Sequence, residues 1–439
     1  MPDAASDARF CEMREAALSI FRYALEQASI DKGFARHIHY ERGLLRVCED
    51  LYDLHSYSRV LTISLGKAGH TMVEALAGLV GGSLEGIVAS PVEPATQVRG
   101  FRYFRGGHPT PNAESVEAAR AMLKALDALP ASALVIFLIS GGGSSIVEKP
   151  MDDEISLADL VETYRALVHC GAPIAEMNAV RKHLSAVKGG RLARAAYPAQ
   201  QVSLLVSDVP DSTPDALASG PTMADSTTVE DCYRIAEKYE LAAQFPQSTR
   251  DLFEHRVLEE TPKSDDPVFA RARCWTVLSN QAAVEQASLA AERAGFFVHS
   301  DNSCDDWDYE RAADYLLGRL RELRKHSSPV CLISGGEVTV RVRNGGTGGR
   351  NQQFALACAE KIAGENITVL SGGTDGIDGN SPAAGAIVDG STVERARGLD
   401  VRGALASFDA YPVFRALGDA IEIGPTGNNL RDLRILLAY

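Results

Sequence analysis

The sequence lacks most of the features that mark membrane, secreted or nucleic-acid-binding proteins. No apolar run reaches the roughly 20 residues of a transmembrane helix, and the start of the chain lacks the basic-then-apolar pattern of a signal peptide. Lys and Arg total 44 against 58 for Asp and Glu, and the net charge of −14 disfavours a broad surface for nucleic acid or anionic membrane. We therefore expect a cytoplasmic protein that binds neither, although a local cationic pocket can still bind a small anion.

The sequence also lacks several motifs of metal sites and nucleotide-binding folds. Its 8 cysteines form no CxxC pair, which indicates reduced structural thiols and not a disulfide framework or a zinc site. No GxxxxGK[ST] loop and no protein-kinase motif set occur. The dinucleotide fingerprint GxGxxG is nearly matched at 346–351, but Asn351 stands where the last glycine belongs, which weakens the case for a nicotinamide site.

Six short apolar runs, most of them ending in a polar residue, are distributed along the chain. Continuous apolar runs of this length are typical of strands buried on both faces, as in parallel sheets. Ala-rich segments with helical periodicity lie between several of them. The pattern predicts an α/β protein with mostly parallel sheets. The runs are 60–64, 134–140, 202–208, 275–280, 330–334 and 367–371.

The length of 439 residues predicts two domains. The polar, proline-containing segments 245–248 and 261–267 place the boundary near residue 265, so that the domains are 1–265 and 266–439.

Near the start, apolar residues recur at helical spacing from Leu18 to Leu25 and predict a helix that packs on a core. Ligands of open parallel sheets bind beyond the carboxyl ends of the strands, where this chain repeatedly places Gly, Ser, Asp and Lys.

A glycine- and serine-rich loop directly follows the 134–140 run. It consists of Gly141, Gly142, Gly143, Ser144 and Ser145. Glycines let a backbone approach an oxyanion closely, and successive N–H groups can cradle a phosphate. Such a loop can also be a tight turn that binds nothing. Three glycines and two serines after a buried strand favour anion binding.

Two cationic side chains lie beside glycines. Arg350 follows Gly348 and Gly349 at the start of a predicted helix, where a guanidinium can close over phosphate oxygens. Lys67 follows Gly66 in the first strand-to-helix turn, where an ammonium can reach a transferring phosphoryl group. The alternatives are a hairpin tip for the arginine and a solvated surface position for the lysine.

Two acidic loops follow other apolar runs and contain Asp208 and Asp375. Magnesium prefers a few carboxylates together with phosphates and water, and a kinase needs a base to orient the attacking hydroxyl. An isolated Asp more often forms a turn or caps a helix. The repetition of such a loop at two predicted strand ends favours metal binding or catalysis.

A cation-rich segment, 177–191, carries Arg181, Lys182 and Lys188, which can recognise a carboxylate or phosphates. A run of charge more often forms a solvated helix face, and His183 within it more often satisfies its hydrogen bonds in a core. His108 lies in a turn, 106–112, that can border a pocket.

An ordered set of short motifs runs along nearly the whole chain. They are Gly66–Ala68, Gly107–Pro109, Ser140–Ser145, Val180–Ser185, Lys188–Ala193, Ser207–Val209, Ser219–Thr222, Ser334–Glu337, Gly348–Gln352, Thr374–Gly379 and Gly424–Asn429. This set resembles the glycerate 2-kinase family, whose C-terminal part is the MOFRL domain; some members carry the name hydroxypyruvate reductase. The resemblance implies a Rossmann-like N-terminal domain, a MOFRL-type C-terminal domain and an active site in the cleft between them.

The resemblance further implies ATP-dependent phosphorylation of D-glycerate at its 2-hydroxyl, giving 2-phospho-D-glycerate and ADP. It matches the key lysine and arginine of the family to Lys67 and Arg350. We predict in-line transfer from Mg-ATP in which these two cations neutralise the transferring group. The other predicted roles are nucleotide binding by 141–145, Gly66, Gly348 and Gly349, magnesium binding or hydroxyl orientation by Asp208 and Asp375, and substrate binding by Arg181, Lys182, Lys188 and His108.

Two alternative functions are compatible with the sequence. A hydroxypyruvate reductase would oxidise NADH or NADPH without ATP, and a non-catalytic small-anion-binding protein would be stabilised by its ligand without forming product. A homodimer is compatible with the sequence, which does not determine the oligomeric state.

Overall fold

The computed structural model describes residues 4–81, 84–210, 212–342 and 345–439. The chain forms two compact units. One is Gly33–Val277, and the other combines Met1–Lys32 with Leu278–Tyr439. Within the described ranges, no helix is long and apolar enough to cross a membrane.

The described residues form helices and strands in alternation. The strands are β1 (Ile38–Glu41), β2 (Leu44–Val47), β3 (Asp50–Asp53), β4 (Arg59–Leu65), β5 (Glu85–Ser90), β6 (Phe101–Arg105), β7 (Ala133–Ser140), β8 (Gln200–Val206), β9 (Ala272–Leu278), β10 (Phe297–Ser300), β11 (Val330–Gly335), β12 (Ile367–Gly373), β13 (Gly385–Asp389), β14 (Ala420–Ile421) and β15 (Asp432–Ala438). The helices are α1 (Ala4–Gln27), α2 (Ile30–His37), α3 (Gly69–Val80), α4 (Ala113–Asp127), α5 (Gly143–Ile146), α6 (Leu157–His169), α7 (Ile174–Leu184), α8 (Arg191–Ala196), α9 (Val229–Lys238), α10 (Gln247–Glu254), α11 (Asn280–Arg293), α12 (Tyr309–Arg324), α13 (Arg350–Lys361), α14 (Thr392–Arg395), α15 (Val401–Ser407) and α16 (Ala410–Leu417). Short 3₁₀ turns occupy Leu54–Ser56, Pro214–Ser219, Ala242–Gln244 and Pro267–Phe269.

The central sheet of Gly33–Val277 has the strand order β6-β5-β4-β7-β8-β9. The pairs from β6 to β8 are all parallel. Every residue of β7 is buried, because helices cover both faces of the sheet, and Met122 and Leu126 of α4 belong to the same hydrophobic core as Phe137. The chain order reverses between β4 and β7, and such a switch point opens a crevice at the carboxyl ends of the two strands. The predicted Rossmann-like domain is confirmed.

A second core in this unit joins helices α6, α7 and α9. Leu160 and Leu167 of α6 pack with Val180 of α7 and Ile235 of α9. This helical layer brings the cation-rich segment close to the end of β7. The unit also contains a small antiparallel sheet, β1-β2-β3, which the sequence analysis did not predict.

The sheet of the other unit has the order β10-β11-β15-β12-β13-β14. The α/β class is confirmed, but the prediction of a mostly parallel sheet is wrong for this unit. Only β10 and β11 pair in parallel, while the other described pairs are antiparallel. The final strand, β15, is buried along its whole length between β11 and β12. A continuous apolar run shows burial on both faces, and it does not show strand direction.

Helix α1 packs in the unit that also contains Leu278–Tyr439. Met13, Phe21 and Ala24 share a core with Leu433 and Ile435 of β15. The sequence-based division at residue 265 places this helix with the other unit. An apolar stripe at helical spacing shows that a helix is covered, but it does not show which sheet covers it.

Candidate functional site

The turn after β4 and the loop after β7 lie side by side at the switch point of the Rossmann-like sheet. The Lys67 backbone N–H donates to the Gly141 carbonyl over 2.8 Å, and the Ala68 N–H donates to Ser140 Oγ over 3.0 Å. Gly142 has a φ of +78°, and a Cβ atom there would lie 3.0 Å from Lys67 Cγ. The exposed Lys67 side chain therefore passes directly over the glycine-rich loop.

Close backbone approach explains two other glycines of this site. Gly66 has a φ of +119°, and a Cβ atom at this position would overlap Ser140. A Cβ atom at Gly141 would overlap the Asp208 carboxylate, which extends from the loop after β8. The structure thus brings together Gly66, Lys67, the 141–145 loop and Asp208, four elements that the sequence analysis selected separately.

His108 approaches the same loop from the segment after β6. Its Nδ1 lies 3.1 Å from Ser145 Oγ. Burial lowers the pKa of His108 below its ordinary value, and the nearby Lys67 ammonium lowers it further. The imidazole is therefore neutral at neutral pH, and it acts here as a hydrogen-bonding group. The other hydroxyl of the loop, Ser144 Oγ, lies 3.0 Å from Ser219 Oγ.

A cavity of about 440 Å³ opens beside the 141–145 loop. Its wall is formed by the loop, by the segment after β6, and by α6 and α7. Arg181 lies in this wall, and its Nε is buried without a hydrogen-bond partner among the described residues. The lining residues are His108, Pro109, Thr110, Pro111, Gly142, Ser144, Ser145, Val161, Tyr164, Arg165, Val168 and Arg181.

Lys182 and Lys188 are placed differently from Arg181. Lys182 is buried and donates to Asp215 over 2.9 Å and to Asp225 over 3.2 Å. Lys188 is buried in an ion pair with Glu148. Among the described residues that line the cavity, neither lysine occurs. Their part in substrate binding stays a prediction, and the contacts that the structure shows for them are with carboxylates.

The Lys188–Glu148 pair fixes an aromatic wall residue. The Tyr164 hydroxyl donates to Glu148 Oε2 over 2.7 Å, and Ser185 Oγ donates to Glu148 Oε1 over 2.6 Å. Burial lowers the pKa of Lys188 well below its ordinary value, because the charged ammonium is removed from water. The same tyrosine ring lies 5.2 Å from the Arg181 guanidinium. Glu148, Lys188 and Arg181 thus set the position of Tyr164.

Replacing Lys188 with alanine should destabilise this unit strongly. The change leaves the Glu148 carboxylate buried and uncompensated, and breaking a buried pair in this way costs about 3–5 kcal/mol. The measurement is the urea midpoint of unfolding. The control is Lys149→Ala, because Lys149 pairs with the exposed carboxylate of Asp153, and this variant should unfold close to wild type. Equal midpoints for the two variants would contradict the buried-pair assignment.

In the other unit, the glycines that precede Arg350 and the loop that contains Asp375 line a cavity of about 820 Å³. Arg350 starts helix α13 at the edge of this cavity. The lining includes Asp306, Glu337, Gly345, Gly346, Gly348, Gly349, Arg350, Gln353, Asp375, Asp378, Gly379, Asn380, Phe408 and Asn429, with apolar side chains of 338–342 and Ile377. The structure therefore brings together Gly348, Gly349, Arg350 and Asp375.

The Arg350 guanidinium is held by two carboxylates. Its Nε and Nη2 donate to Asp432 over 2.6 and 3.0 Å, and Nη2 lies 2.7 Å from Glu337 Oε1. Burial opposes the charge, but the hydrogen bonds to Asp432 outweigh it and raise the pKa of Arg350 above its ordinary value. The guanidinium is therefore permanently charged and has a fixed orientation. The sequence analysis missed Asp432, because no local motif marks a partner 82 positions away.

A buried carboxylate, Asp378, caps the helix that begins at Arg350. It accepts hydrogen bonds from the backbone N–H groups of Asn351 (3.1 Å) and Gln352 (2.9 Å), and from both of their side-chain amides. Burial raises the pKa of Asp378 from 3.8 to about 6, and these hydrogen bonds oppose the rise. Asp378 lies within the quoted motif Thr374–Gly379, but sequence reasoning selected only Asp375.

The ionisation of Asp378 should make stability depend on pH. Its folded pKa lies above the ordinary value of 3.8, so protonation favours the folded state. Its contribution is fully present below about pH 4 and is lost as the pH rises through about 6, a change on the order of 2–3 kcal/mol. Urea unfolding from pH 4 to 7 should show this fall in wild type and not in Asp378→Asn.

The exposed helix-capping residue Asp400, which accepts from the Gly403 N–H, provides the control. Asp400→Asn should keep the wild-type pH dependence of unfolding. If Asp378→Asn and wild type differ by the same free energy at every pH, the raised pKa of Asp378 is refuted.

Asp375 forms a turn at the edge of the same cavity. Its Oδ1 accepts from the Ile377 N–H over 3.1 Å, and its backbone carbonyl accepts from the Thr426 N–H over 3.0 Å. In the described parts of the chain, no group of three or more His, Cys, Asp or Glu side chains is arranged to hold a metal alone. Single carboxylates near glycine-rich loops fit a magnesium ion that takes its remaining ligands from a bound phosphate and water.

Comparisons with known proteins cover most of the chain. Residues 16–254 match the family described as Domain of unknown function (DUF4147), and residues 330–432 match the MOFRL family. A D-glycerate 2-kinase of Thermotoga maritima is 35% identical over 386 residues, which are 86% of this chain and 90% of that protein. An Agrobacterium vitis protein with the provisional name hydroxypyruvate reductase is 37% identical over 389 residues, which are 86% and 87% of the two chains.

A solved structure matches the fold over nearly its full length. The crystal structure of glycerate kinase from Thermotoga maritima superposes with a TM-score of 0.86 at 32% sequence identity. The match covers 98% of this chain and 100% of that one. Both units of the present chain therefore have counterparts in that structure.

Proposed function

The chain belongs to the glycerate 2-kinase family, and we propose on this basis that it transfers the γ-phosphoryl group of ATP to the 2-hydroxyl of D-glycerate. The products are 2-phospho-D-glycerate and ADP. The family resemblance predicted from the ordered motifs is confirmed by these comparisons. The observation that carries the proposal is the placement of Lys67, the 141–145 loop and Asp208 together at the switch point of a Rossmann-like sheet.

Lys67 and the glycine-rich loop provide the positive environment that phosphoryl transfer requires. The loop N–H groups bind nucleotide phosphates, since three glycines leave the backbone open to oxyanions. The Lys67 ammonium neutralises charge on the transferring phosphoryl group. Little covalent chemistry is needed in such a reaction, so fixed cations and donors account for most of the rate enhancement.

Arg350 acts on the same chemical step in this proposal. Its orientation by Asp432 and Glu337 supports the role, because a guanidinium that is fixed before the reaction needs no reorganisation during it. Gly348 and Gly349 precede it in the lining of the 820 Å³ cavity, where the backbone can approach phosphate oxygens.

Asp208 and Asp375 are the proposed magnesium ligands, and either can orient the attacking hydroxyl instead. Bound magnesium would supply charge neutralisation to the ATP phosphates. For the hydroxyl, a carboxylate within hydrogen-bond reach holds the substrate in line and accepts its proton. Each lies beside a proposed phosphate-binding loop of its own unit.

The hydroxy acid needs a hydrogen-bonding group close to the phosphate-binding loop. His108 is such a group, because its contact with Ser145 holds the neutral imidazole beside this loop. Arg181 lies in the cavity wall with an unpaired Nε and is available to a ligand. Lys182 and Lys188 contribute to binding indirectly. Their buried ion pairs with Asp215 and Glu148 stabilise the segment that carries Arg181.

The reductase alternative receives no support from the GxGxxG-like segment. Its last position, Asn351, is buried, and it accepts from Ser371 Oγ over 2.6 Å. The dinucleotide fingerprint directly follows a strand, and no described strand directly precedes this segment.

Three measurements on one preparation distinguish the three functions. With D-glycerate and Mg-ATP, the kinase forms ADP at a rate that depends on both substrates. With hydroxypyruvate and NADH or NADPH, it leaves the cofactor reduced. Cofactor oxidation without ATP would establish the reductase instead. Ligand-induced thermal stabilisation with neither product would establish a binding protein.

A further inference from the structure

The motif Ser334–Glu337 forms a turn at the end of β11, and its last residue is one of the two carboxylates that hold Arg350. Glu337 Oε1 lies 2.7 Å from Arg350 Nη2. The residue before it, Gly336, has a φ of +87°, and its backbone N–H donates to Asn280 Oδ1 over 2.8 Å. The amide of Asn280 therefore fixes the backbone directly beside Glu337.

The same amide bonds to the segment that carries the other carboxylate. Asn280 Nδ2 donates to the backbone carbonyl of Leu430 over 2.7 Å and to that of Asp432 over 2.9 Å. The Asp432 side chain in turn accepts from Arg350 Nε over 2.6 Å. One side chain thus connects the two stretches of backbone from which both partners of the guanidinium extend.

The residue between these two carbonyls has a strained backbone. Arg431 has a φ of +68°, in a region that residues with a side chain rarely occupy. Strain of this kind persists only where surrounding contacts hold it, and such positions cluster at functional sites. Asn280 bonds to the residue on each side of Arg431, so it helps to hold the strained conformation that leads the chain into Asp432.

The chemistry of an asparagine side chain is fully used at this position. Asn280 is buried at the start of α11, and its oxygen and its NH₂ group are all bonded to backbone. A Cβ atom at Gly335 would overlap Asn280 Oδ1, so the turn also packs closely against the amide. An aspartate has no such donors, and an aliphatic side chain has neither donor nor acceptor. A buried polar network whose members are all satisfied specifies a single arrangement.

We propose that Asn280 is a positioning residue for phosphoryl transfer, and that it acts through Glu337 and Asp432 to hold the Arg350 guanidinium in its reactive orientation. This inference rests on the proposed function, in which Arg350 neutralises the transferring group. Asn280 itself contacts neither substrate in this account. Its loss should therefore lower kcat and leave the KM values for ATP and D-glycerate close to those of wild type.

The test is Asn280→Ala, made both in wild type and in Arg350→Ala. Steady-state ADP formation, measured below the unfolding midpoint of every variant, gives kcat and both KM values. In the wild-type background kcat should fall by about tenfold, which lies within the range of coupling inside one hydrogen-bond network. In the Arg350→Ala background no further loss is expected, because the residue through which Asn280 acts is already absent.

The matched control is Thr392→Val, which also removes a buried side-chain bond to backbone in the same unit. Thr392 Oγ1 is buried and accepts from the Asp389 N–H over 2.8 Å, and Thr392 lies outside the described lining of the 820 Å³ cavity. Thr392→Val should lower the unfolding midpoint and keep the wild-type kcat. An equal loss of kcat in Thr392→Val and Asn280→Ala would show that destabilisation alone explains the effect.

Wild-type kcat in Asn280→Ala would overturn the proposal, and so would an equal loss in the two backgrounds or a change confined to KM. If Asn280→Ala does not fold, Asn280→Asp is measured in the same way. It keeps the size of the side chain and the acceptor oxygen, but it turns a carboxylate oxygen toward the two carbonyls.

Failure of the proposed function has a different result. Wild type then forms no ADP from D-glycerate and Mg-ATP, or Arg350→Ala keeps the wild-type kcat. Failure of the inference on Asn280 alone leaves wild type active and Arg350→Ala impaired.

Discussion

Lys67→Ala should lower kcat for glycerate phosphorylation by roughly 10²–10³, the loss seen when one preorganised donor to a developing oxyanion is removed. The side chain is exposed and extends over Gly142, so its removal leaves no buried partner unsatisfied. The unfolding midpoint should therefore remain close to that of wild type. Steady-state ADP formation at saturating substrates measures the effect.

Lys124→Ala is the matched control for Lys67→Ala. Lys124 is an exposed lysine on α4 of the same unit, and its removal changes the net charge equally without touching the loop. Its kcat should match wild type. Wild-type turnover by Lys67→Ala would remove this residue from the mechanism.

Arg350→Ala should reduce kcat by a similar factor, roughly 10²–10³. Here the fold is also affected, because Asp432 is almost fully buried and loses its partner. Arg350→Lys separates the two effects, since it retains charge but cannot form the paired hydrogen bonds of a guanidinium. We expect Arg350→Lys to unfold closer to wild type than Arg350→Ala and still to show a large loss of kcat.

The carboxylate that holds Arg350 gives a further test of the same prediction. Asp432→Asn should lower kcat with little change in KM if Asp432 acts by positioning Arg350. Adding it to Arg350→Ala should then cause no additional loss, because residues that act as one unit are not additive. Asp419→Asn is the control, since Asp419 is a buried carboxylate of the same unit that pairs with Arg395 and does not line the 820 Å³ cavity. Full additivity would show that Asp432 acts independently of Arg350.

Much of the secondary structure follows from local sequence patterns. The six apolar runs correspond to β4, β7, β8, β9, β11 and β12. Five of these strands are buried over most of their length, as continuous apolar side chains predict, whereas β9 is buried only at Val277 and Leu278. Strand direction in the C-terminal unit was not predictable in this way. It depends on β15 pairing with strands that lie about 100 and 65 residues earlier, and no local pattern encodes that pairing.

The site residues divide in the same manner. Lys67 and Arg350 are adjacent to glycines in the sequence, and this local pattern predicts cations that can reach a bound anion. In the cation-rich segment, Arg181, Lys182 and Lys188 gave equivalent local signals, yet of these three described residues Arg181 alone lines the cavity beside the 141–145 loop. The two lysines are buried because carboxylates far away in sequence meet them. Long-range pairing of this kind requires the fold.

The regiochemistry of the product tests the proposed glycerate 2-kinase activity most directly. The enzyme is incubated with Mg-ATP and D-glycerate, and the product is then given to enolase without phosphoglycerate mutase. Direct formation of phosphoenolpyruvate is the predicted result, since enolase acts on the 2-phosphate. Formation only after phosphoglycerate mutase is added would show that the 3-hydroxyl is phosphorylated and would contradict the proposed function.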